Sequence, residues 1–154
     1  MNTPAEKVFE HLRGIAARAL ELIQDIDARR ELIETYFRVD PSTSKVEGQW
    51  RPARNGHIPM EWVMGEGADP RRRILYIHGG SWVSGSPSGY RAFLSRVSRA
   101  SGAVVLAVDY RLAPEHPFPA GLDDCVAAYQ WMRQHGPEGE APAGAAFLMG
   151  DSAG

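Results

Sequence analysis

Three short apolar runs in the second half of the chain constrain its fold more than any other feature. They occupy residues 74–77, 103–108 and 145–149. Continuous apolar runs of this length are typical of strands that are buried on both faces of a parallel sheet. The segments between them, residues 90–100 and 122–134, place apolar side chains at helical spacing. This alternation predicts an α/β fold whose parallel strands are joined by right-handed helical crossovers.

Two helical patterns open the chain before any strand pattern begins. Apolar residues recur at helical spacing over residues 4–26, and Thr3 and Glu6 form a capping-box signature at the start of this predicted helix. A second, shorter helix is predicted from Asp27 onward. Two helices that precede the sheet indicate an appendage that lies over the core.

A predicted hairpin connects these helices to the parallel strands. Residues 46–51 and 58–64 alternate between apolar and polar side chains, and they flank the turn sequence Arg-Asn-Gly at 54–56. The hairpin predicts an antiparallel edge. The predicted sheet is therefore mostly parallel with an antiparallel N-terminal hairpin.

The composition is that of an ordinary globular chain and favours no nucleic-acid partner. Hydrophobic residues make up 44% and charged residues 23% of 154 residues, and the net charge is −2, so there is no basic surplus for a phosphate backbone. The one basic run, residues 71–73, is interpreted as the solvated start of a strand.

No apolar run approaches the length of a membrane span. The single cysteine, Cys125, excludes an internal disulfide and favours a reducing compartment, so we expect a cytoplasmic location.

The last apolar run breaks into Gly-Asp-Ser-Ala-Gly at residues 150–154, which has the pattern Gly-x-Ser-x-Gly. A strand that reverses sharply into a helix strains the serine backbone, and Gly150 and Gly154 leave room for that turn. The pattern predicts Ser152 as a nucleophile. Because glycine and serine are common residues, the motif alone is weak, and the argument depends on the residues upstream.

Glycine-rich and polar residues follow the two preceding apolar runs. His-Gly-Gly-Ser-Trp occupies residues 78–82, and Asp-Tyr-Arg occupies residues 109–111. Since the carboxyl ends of parallel strands share one edge of a sheet, both segments should lie near the serine. Adjacent glycines allow N–H groups to point at a substrate oxygen, so Gly79 and Gly80 are candidate oxyanion-hole donors, with the Ala153 N–H as a third. The alternative for these glycines is a tight turn, which the downstream serine motif disfavours.

Three segments together resemble the hormone-sensitive-lipase branch of the α/β-hydrolases: residues 78–82, residues 109–120 with the sequence Asp-Tyr-Arg-Leu-Ala-Pro-Glu-His-Pro-Phe-Pro-Ala, and residues 150–154. The two N-terminal helices resemble the cap of that family. The resemblance implies cap helices over residues 1–40 and the N-terminal half of a hydrolase domain over residues 41–154. It also implies a carboxylic ester hydrolase for small or medium acyl esters, with no metal and no organic cofactor.

The resemblance also implies the roles of individual residues. These are the nucleophile Ser152, the oxyanion-hole donors Gly79, Gly80 and Ala153, and the supporting residues of the oxyanion loop His78, Ser81 and Trp82. One departure concerns Ser81, because many members of the family have a third glycine there. A side chain at this position is expected to narrow or reorient the acyl pocket, and Trp82 is expected to form its wall.

A serine nucleophile needs a base, and the order in this fold is serine, then acid, then histidine. The five histidines all precede Ser152. His78 is the best placed of them, but the resemblance assigns it to the oxyanion loop. We therefore expect residues 1–154 to lack both the acid and the histidine of the catalytic triad. For the chain as given we expect no appreciable esterase activity and poor stability, because the edge of the 145–149 strand would be bare.

Charged residues near the predicted site are interpreted as structural. Arg111 and Glu115 lie four residues apart in a proline-rich loop, which predicts an ion pair that holds the loop. Asp123 and Asp124 fall in the first turn of a predicted helix, where negative charge suits the helix dipole. Asp151 is predicted to shape the loop beside the nucleophile rather than to relay a proton.

The sequence leaves other functions open. Lactone or arylformamide hydrolysis fits the same scaffold, a non-catalytic hydrolase-like protein would bind a ligand in the same pocket, and a short chain can act as an interaction piece. The sequence does not determine the acyl length, the alcohol group, the stereopreference or the oligomeric state.

Overall fold

A computed structural model describes residues 3–38 and 43–154. The four helices of this part are α1 (Pro4–Glu21), α2 (Ile26–Ile33), α3 (Pro87–Ser101) and α4 (Ala120–Gln134). Its strands are β1 (Gln49–Asn55), β2 (Ile58–Met64), β3 (Asp69–Ile77), β4 (Ala103–Val108), β5 (His135–Gly136), β6 (Gly139–Glu140) and β7 (Ala145–Gly150). The predicted boundary between residues 40 and 41 lies outside the described residues.

Five strands form one mixed sheet in the order β1-β2-β4-β3-β7. Strands β1 and β2 form the predicted antiparallel hairpin, and β2 also pairs antiparallel with β4. Strand β3 pairs in parallel with both β4 and β7, which places Leu75 between Leu106 and Leu148. The α/β fold with a mostly parallel half and an antiparallel hairpin is therefore confirmed. The carboxyl ends of β3, β4 and β7 meet at one edge of the sheet, as the site prediction requires.

Apolar clusters cover both faces of the central strands. On one face Trp62, Leu106 and Met132 of α4 belong to one buried cluster. On the other face Tyr76 packs in a second cluster with Leu94 of α3. Strand β4 lies between these layers, and all six of its residues are buried. A continuous apolar run is therefore stable in this position because each side chain, whichever face it points to, is removed from water.

Strand β7 has the bare edge that is expected for this chain, and its apolar side chains are exposed, although a continuous apolar run is typical of a strand buried on both faces. Phe147 and Leu148 are 49% and 63% exposed. The reason is the position of the strand, since β7 is at the edge of the sheet and pairs with β3 alone in the described part of the chain.

The N-terminal helices begin as predicted but divide earlier. The capping box is present, because Thr3 N–H donates to Glu6 Oε2 (2.7 Å) and Glu6 N–H donates to Thr3 Oγ1 (3.3 Å). Helix α1 ends at Glu21 rather than near residue 26. Asp25 then caps α2 by accepting a hydrogen bond from the Ala28 N–H (3.0 Å). A second capping residue within the predicted helix thus starts a new helix.

The interpretation of residues 71–73 as a solvated run is wrong for Arg73. Arg71 and Arg72 are exposed, but Arg73 is only 1% exposed. Its Nη1 donates to the carbonyl oxygens of Met132 (2.7 Å) and Ala141 (2.9 Å). Burial lowers the pKa of this guanidinium. Arg73 therefore ties β3 to the end of α4 and to the segment that leads into β7.

The predicted ion pair between Arg111 and Glu115 is also wrong, because each residue has a partner elsewhere. The Arg111 Nε and Nη2 donate to the two carboxylate oxygens of the buried Asp124, at 2.9 Å and 2.8 Å. Glu115 accepts from both terminal nitrogens of Arg30 in α2, at 2.9 Å and 2.8 Å. Asp124 is thus a buried anchor of the loop rather than a solvated residue of the helix start.

Within residues 3–38 and 43–154, no helix has both the length and the apolar character needed to cross a bilayer.

Candidate active site

The turn after β7 has the strained geometry that the serine motif predicts. Ser152 has a φ of 51°, a backbone conformation that residues other than glycine rarely adopt. A Cβ added at Gly150 would lie 2.6 Å from the carbonyl carbon of Gly154, and one added at Gly154 would collide with the Ile77 carbonyl oxygen. The turn is therefore packed so closely against β3 that both positions require glycine. The Ser152 side chain is exposed at the top of this turn.

Asp151 links this turn to the glycine-rich loop that follows β3. Its Oδ1 accepts hydrogen bonds from the Tyr76 hydroxyl (2.8 Å) and from the Gly79 N–H (2.7 Å). Its Oδ2 accepts from the Tyr90 hydroxyl (3.2 Å). Burial, reinforced by the Asp151 carboxylate, raises the pKa of both tyrosines. Asp151 thus shapes the loop beside Ser152, as predicted, and its two tyrosine partners were not identified from the sequence.

The same hydrogen bond changes the set of possible oxyanion-hole donors. The Gly79 N–H is occupied by Asp151 and is not free to bind a substrate oxygen. By contrast, the N–H groups of Gly80, Ser81 and Ala153 have no acceptor within residues 3–38 and 43–154. From the sequence, Ser81 is predicted only as a supporting residue of the loop. No signal in the sequence shows which N–H of the loop faces the Asp151 carboxylate.

Gly80 has a backbone conformation that favours glycine. Its φ is 123°, and its carbonyl oxygen accepts from the Ser84 N–H (3.1 Å) and hydroxyl (2.7 Å). A Cβ at this position would collide with the Ser84 carbonyl oxygen. Ser81 and Trp82 follow with φ values of 58° and 61°. The loop is therefore a tight, internally bonded turn, which is the arrangement that holds N–H groups in fixed directions.

His78 lies under this loop as a buried, neutral support. It is only 1% exposed, and burial lowers its pKa. Its Nδ1 lies 2.9 Å from the Gly79 carbonyl oxygen, which can only accept, so Nδ1 carries the proton. The ring stacks on Tyr110 with centroids 4.4 Å apart, and the Tyr110 hydroxyl donates to the His78 carbonyl oxygen (2.7 Å). These contacts favour the predicted supporting role over that of a base for Ser152.

Two cavities formed by residues 3–38 and 43–154 lie beside the turn, and the smaller of the two is lined by Ser152. It has a volume of about 470 Å³ and lies between the N-terminal helices and the loop. It is lined by Gly80, Ser81, Asp151 and Ser152 together with residues of α1 and α2. The larger cavity, about 630 Å³, is lined by Trp82 and Ala153 but not by Ser152. The smaller cavity is therefore a candidate substrate site, while Trp82 and Ala153 line the neighbouring cavity and Ser81 lines both. The expected role of Trp82 as a wall of the acyl pocket stays a prediction.

No general base for Ser152 is found among the described contacts. None of the five histidines lines the cavity that contains Ser152. For example, His57 lies 3.1 Å from Asp124, and His11 lies 3.0 Å from the Tyr36 carbonyl oxygen. In the described part of the chain no group of three or more His, Cys, Asp or Glu residues is placed to hold a metal ion. The arrangement thus brings an exposed serine at a positive-φ turn close to backbone N–H groups that have no described acceptor.

Comparisons with known proteins agree with this geometry. A family model described as alpha/beta hydrolase fold matches residues 74–154, so the chain belongs to the α/β-hydrolase fold family. The predicted resemblance to its hormone-sensitive-lipase branch is also confirmed. An esterase from the bacterial hormone-sensitive lipase family is 37% identical with a TM-score of 0.79, and the match covers 100% of this chain and 49% of that chain.

Two further relatives are similar over comparable regions. The solved structure of a mutant esterase has a TM-score of 0.82 and is 38% identical, and the match covers 99% of this chain and 50% of that one. An acetyl-hydrolase from Streptomyces hygroscopicus is 46% identical over 99 residues, which are 64% of this chain and 31% of the relative. The chain therefore spans about half the length of these solved structures and a smaller share of the curated relative.

Proposed function

We propose that the complete protein hydrolyses carboxylic esters with Ser152 as the nucleophile. The observation that carries this proposal is the position of Ser152 at a positive-φ turn, on a cavity that it shares with the loop of free N–H groups. The relatives that are described as esterases and as an acetyl-hydrolase support the same reaction class.

The proposed reaction proceeds in two steps. The Ser152 Oγ bonds to the acyl carbon of the ester, its proton passes to a general base and then to the leaving alcohol, and the bond between acyl carbon and alcohol oxygen breaks. Water then attacks the acyl-serine, which releases the carboxylic acid and restores the serine hydroxyl. We assign the general base to none of the described residues, since no histidine lines the cavity that contains Ser152.

We assign the oxyanion hole to the N–H groups of Gly80 and Ala153, with the Ser81 N–H as a third donor. This assignment differs from the sequence prediction because the Gly79 N–H is occupied by Asp151. Gly79 and His78 hold the loop in this proposal. Donors that are fixed before the reaction stabilise the negative charge of the tetrahedral intermediate without reorganising.

We propose that the helices of residues 1–40 act as a cap over the substrate cavity. The support for this role is that α1 and α2 contribute Leu12, Ile15 and Ile33 to the lining of the cavity that contains Ser152. A small-molecule ester is the proposed partner. We also propose a reducing, cytoplasmic location, because Cys125 is the single cysteine of these residues and is buried as a free thiol. Cell fractionation with an antibody against the protein tests the location.

The test of the reaction uses the complete protein with p-nitrophenyl acetate and butyrate. Ser152→Ala is expected to lower kcat by several orders of magnitude, because it removes the nucleophile. Ser88→Ala, which changes an exposed serine outside the cavity, is the matched control and is expected to leave kcat unchanged. If Ser152→Ala keeps most of the activity of the parent protein, Ser152 is not the nucleophile.

The second candidate is a non-catalytic protein that binds a small ligand in the same cavity. This candidate is one that the sequence leaves open, and it shares the cavity with the first candidate. The same assay separates the two candidates. A complete protein that binds p-nitrophenyl butyrate but does not turn it over would support the second.

A further inference from the structure

Two arginines of the cap helices line the cavity that contains Ser152. They are Arg13 of α1 and Arg29 of α2. Neither forms an ion pair with a described residue, whereas the neighbouring Arg30 is paired with Glu115. The cavity thus has two positive charges on its cap side without a protein counter-charge in contact.

Arg29 uses only part of its hydrogen-bonding capacity. Its Nη2 donates to the Ser81 hydroxyl (3.2 Å). Its Nε is buried and has no hydrogen-bond partner in the described part of the chain. A buried donor without an acceptor is destabilising, and such groups in native proteins usually need a functional or solvent explanation. Because this Nε is shielded from solvent, a ligand in the cavity would reach Arg29 through its terminal nitrogens, of which only Nη2 has a described hydrogen bond.

Ser81 acquires a role through this contact. Its hydroxyl is the described acceptor for the Arg29 guanidinium. Because Ser81 lines the cavity together with Ser152, its hydroxyl holds the guanidinium at the wall of the same cavity.

The remaining lining of the cavity offsets only one of these charges. Asp151 is the one acidic residue among its lining residues, and its carboxylate accepts hydrogen bonds from Tyr76, Gly79 and Tyr90 rather than from either arginine. Two arginines and one aspartate leave the lining with a net positive charge. Most of the other lining side chains are apolar, including Leu12. A charge-assisted hydrogen bond is stronger in such surroundings than in water.

We propose that the cavity selects esters that carry a carboxylate group, and that Arg29 is the residue that binds this carboxylate. Arg13 adds a second positive charge from α1. The guanidinium fork suits a carboxylate because it offers parallel N–H donors. This inference rests on the proposed ester hydrolysis, and it names the substrate class of that same site.

The experiment compares charged and neutral esters with the complete protein. The acyl arm uses mono-p-nitrophenyl succinate against p-nitrophenyl butyrate, and the alcohol arm uses 4-acetoxybenzoate against its methyl ester. The measured quantity is the ratio of kcat/KM for the charged ester to that for the neutral ester. Arg29→Met is expected to lower this ratio about tenfold or more in one of the arms, which is the usual scale for a hydrogen bond between charged groups.

Matched variants separate Arg29 from general effects of charge and folding. Arg18→Met removes an exposed arginine of α1 outside the cavity and is expected to leave the ratio unchanged. Ser81→Ala keeps the N–H but removes the acceptor for Arg29, so we expect a smaller fall in the ratio. A readout without turnover is succinate binding to Ser152→Ala by calorimetry, which should weaken when Arg29→Met is added.

The outcomes distinguish this inference from the proposed function. Ester hydrolysis that depends on Ser152, with ratios in both arms that Arg29→Met leaves unchanged, overturns the inference alone. Hydrolysis that survives Ser152→Ala overturns the proposed function instead. An Arg29-dependent preference in either arm supports the inference and identifies the side of the ester that carries the carboxylate.

Discussion

Asp151→Ala is expected to destabilise the protein because it removes the acceptor that joins the serine turn to the glycine-rich loop. The variant leaves the buried Tyr76 hydroxyl and the Gly79 N–H without a partner. An unsatisfied buried polar group costs about 1–3 kcal/mol, so the two together lower the free energy of unfolding by about 2–6 kcal/mol. The longer contact from the Tyr90 hydroxyl, at 3.2 Å, adds less.

Asp151→Asn is the matched control for this prediction. The amide oxygen of asparagine can still accept from both Tyr76 and Gly79, since both donate to the same oxygen of the native carboxylate. We therefore expect Asp151→Asn to lose less than half of the free energy that Asp151→Ala loses. The loop should also stay in place, so kcat for p-nitrophenyl acetate should fall less in the asparagine variant.

Urea titration of the complete protein, followed by fluorescence and circular dichroism, measures both variants. The reasoning predicts a lower midpoint for Asp151→Ala with little change in slope. If Asp151→Ala unfolds within about 0.5 kcal/mol of the parent protein, a value typical of surface substitutions, the carboxylate does not anchor the loop. Equal losses for the two variants would show that charge, rather than the accepted hydrogen bonds, is responsible.

Three further predictions follow from the described contacts. Gly154→Ala should lower the free energy of unfolding by about 1–3 kcal/mol, because the added Cβ collides with the Ile77 carbonyl oxygen. Gly14→Ala should not lower it, because the Cβ at this position of α1 meets open space. A urea titration in which Gly14→Ala is the more destabilising variant contradicts the packing argument. Burial lowers the pKa of His78 below its ordinary 6.5, so the stability that the neutral ring contributes is present above pH 6.5 and is lost as the pH falls below that value. His78→Gln should therefore flatten the acid side of a plot of unfolding free energy against pH. An unchanged plot argues against a buried neutral ring. The Arg30 guanidinium lowers the pKa of Glu115 to about 2, so Arg30→Gln should return this pKa to the ordinary range in an NMR titration, while Arg18→Gln should leave it low.

The central strands could be predicted from the sequence because their environment is uniform. A strand that is covered on both faces needs apolar side chains at every position, and β4 has the same bounds as the run at residues 103–108. The exposure of β7 could not be predicted from its own residues. It depends on what lies beside the strand, and the apolar run is the same whether or not its faces are covered.

The partners of the charged residues could not be predicted from spacing. Arg111 and Glu115 are four residues apart, yet Asp124 and Arg30 bind them because the fold brings those groups closer. Spacing along the chain describes only local neighbours. For the same reason the burial of Arg73 depends on carbonyl groups that belong to distant segments.

The predictable parts of the candidate site are those at which close backbone packing requires a particular residue type. The glycines at 150 and 154 are required by close packing, and this requirement is visible in the sequence as Gly-x-Ser-x-Gly. The direction of each N–H in the loop could not be predicted in this way, because it depends on the position of the Asp151 carboxylate. The sequence therefore identified the loop but assigned Gly79 a free N–H that it does not have. The role of Ser152 as nucleophile stays a prediction.

Covalent labelling of Ser152 tests the central claim most directly. The complete protein would be treated with a fluorophosphonate, digested and analysed by mass spectrometry, in parallel with loss of p-nitrophenyl acetate turnover. The account predicts one phosphonylated site, at Ser152, with labelling that rises in step with inactivation and is absent from Ser152→Ala. Inactivation with the label on a different residue, or full turnover by a protein labelled at Ser152, would contradict it.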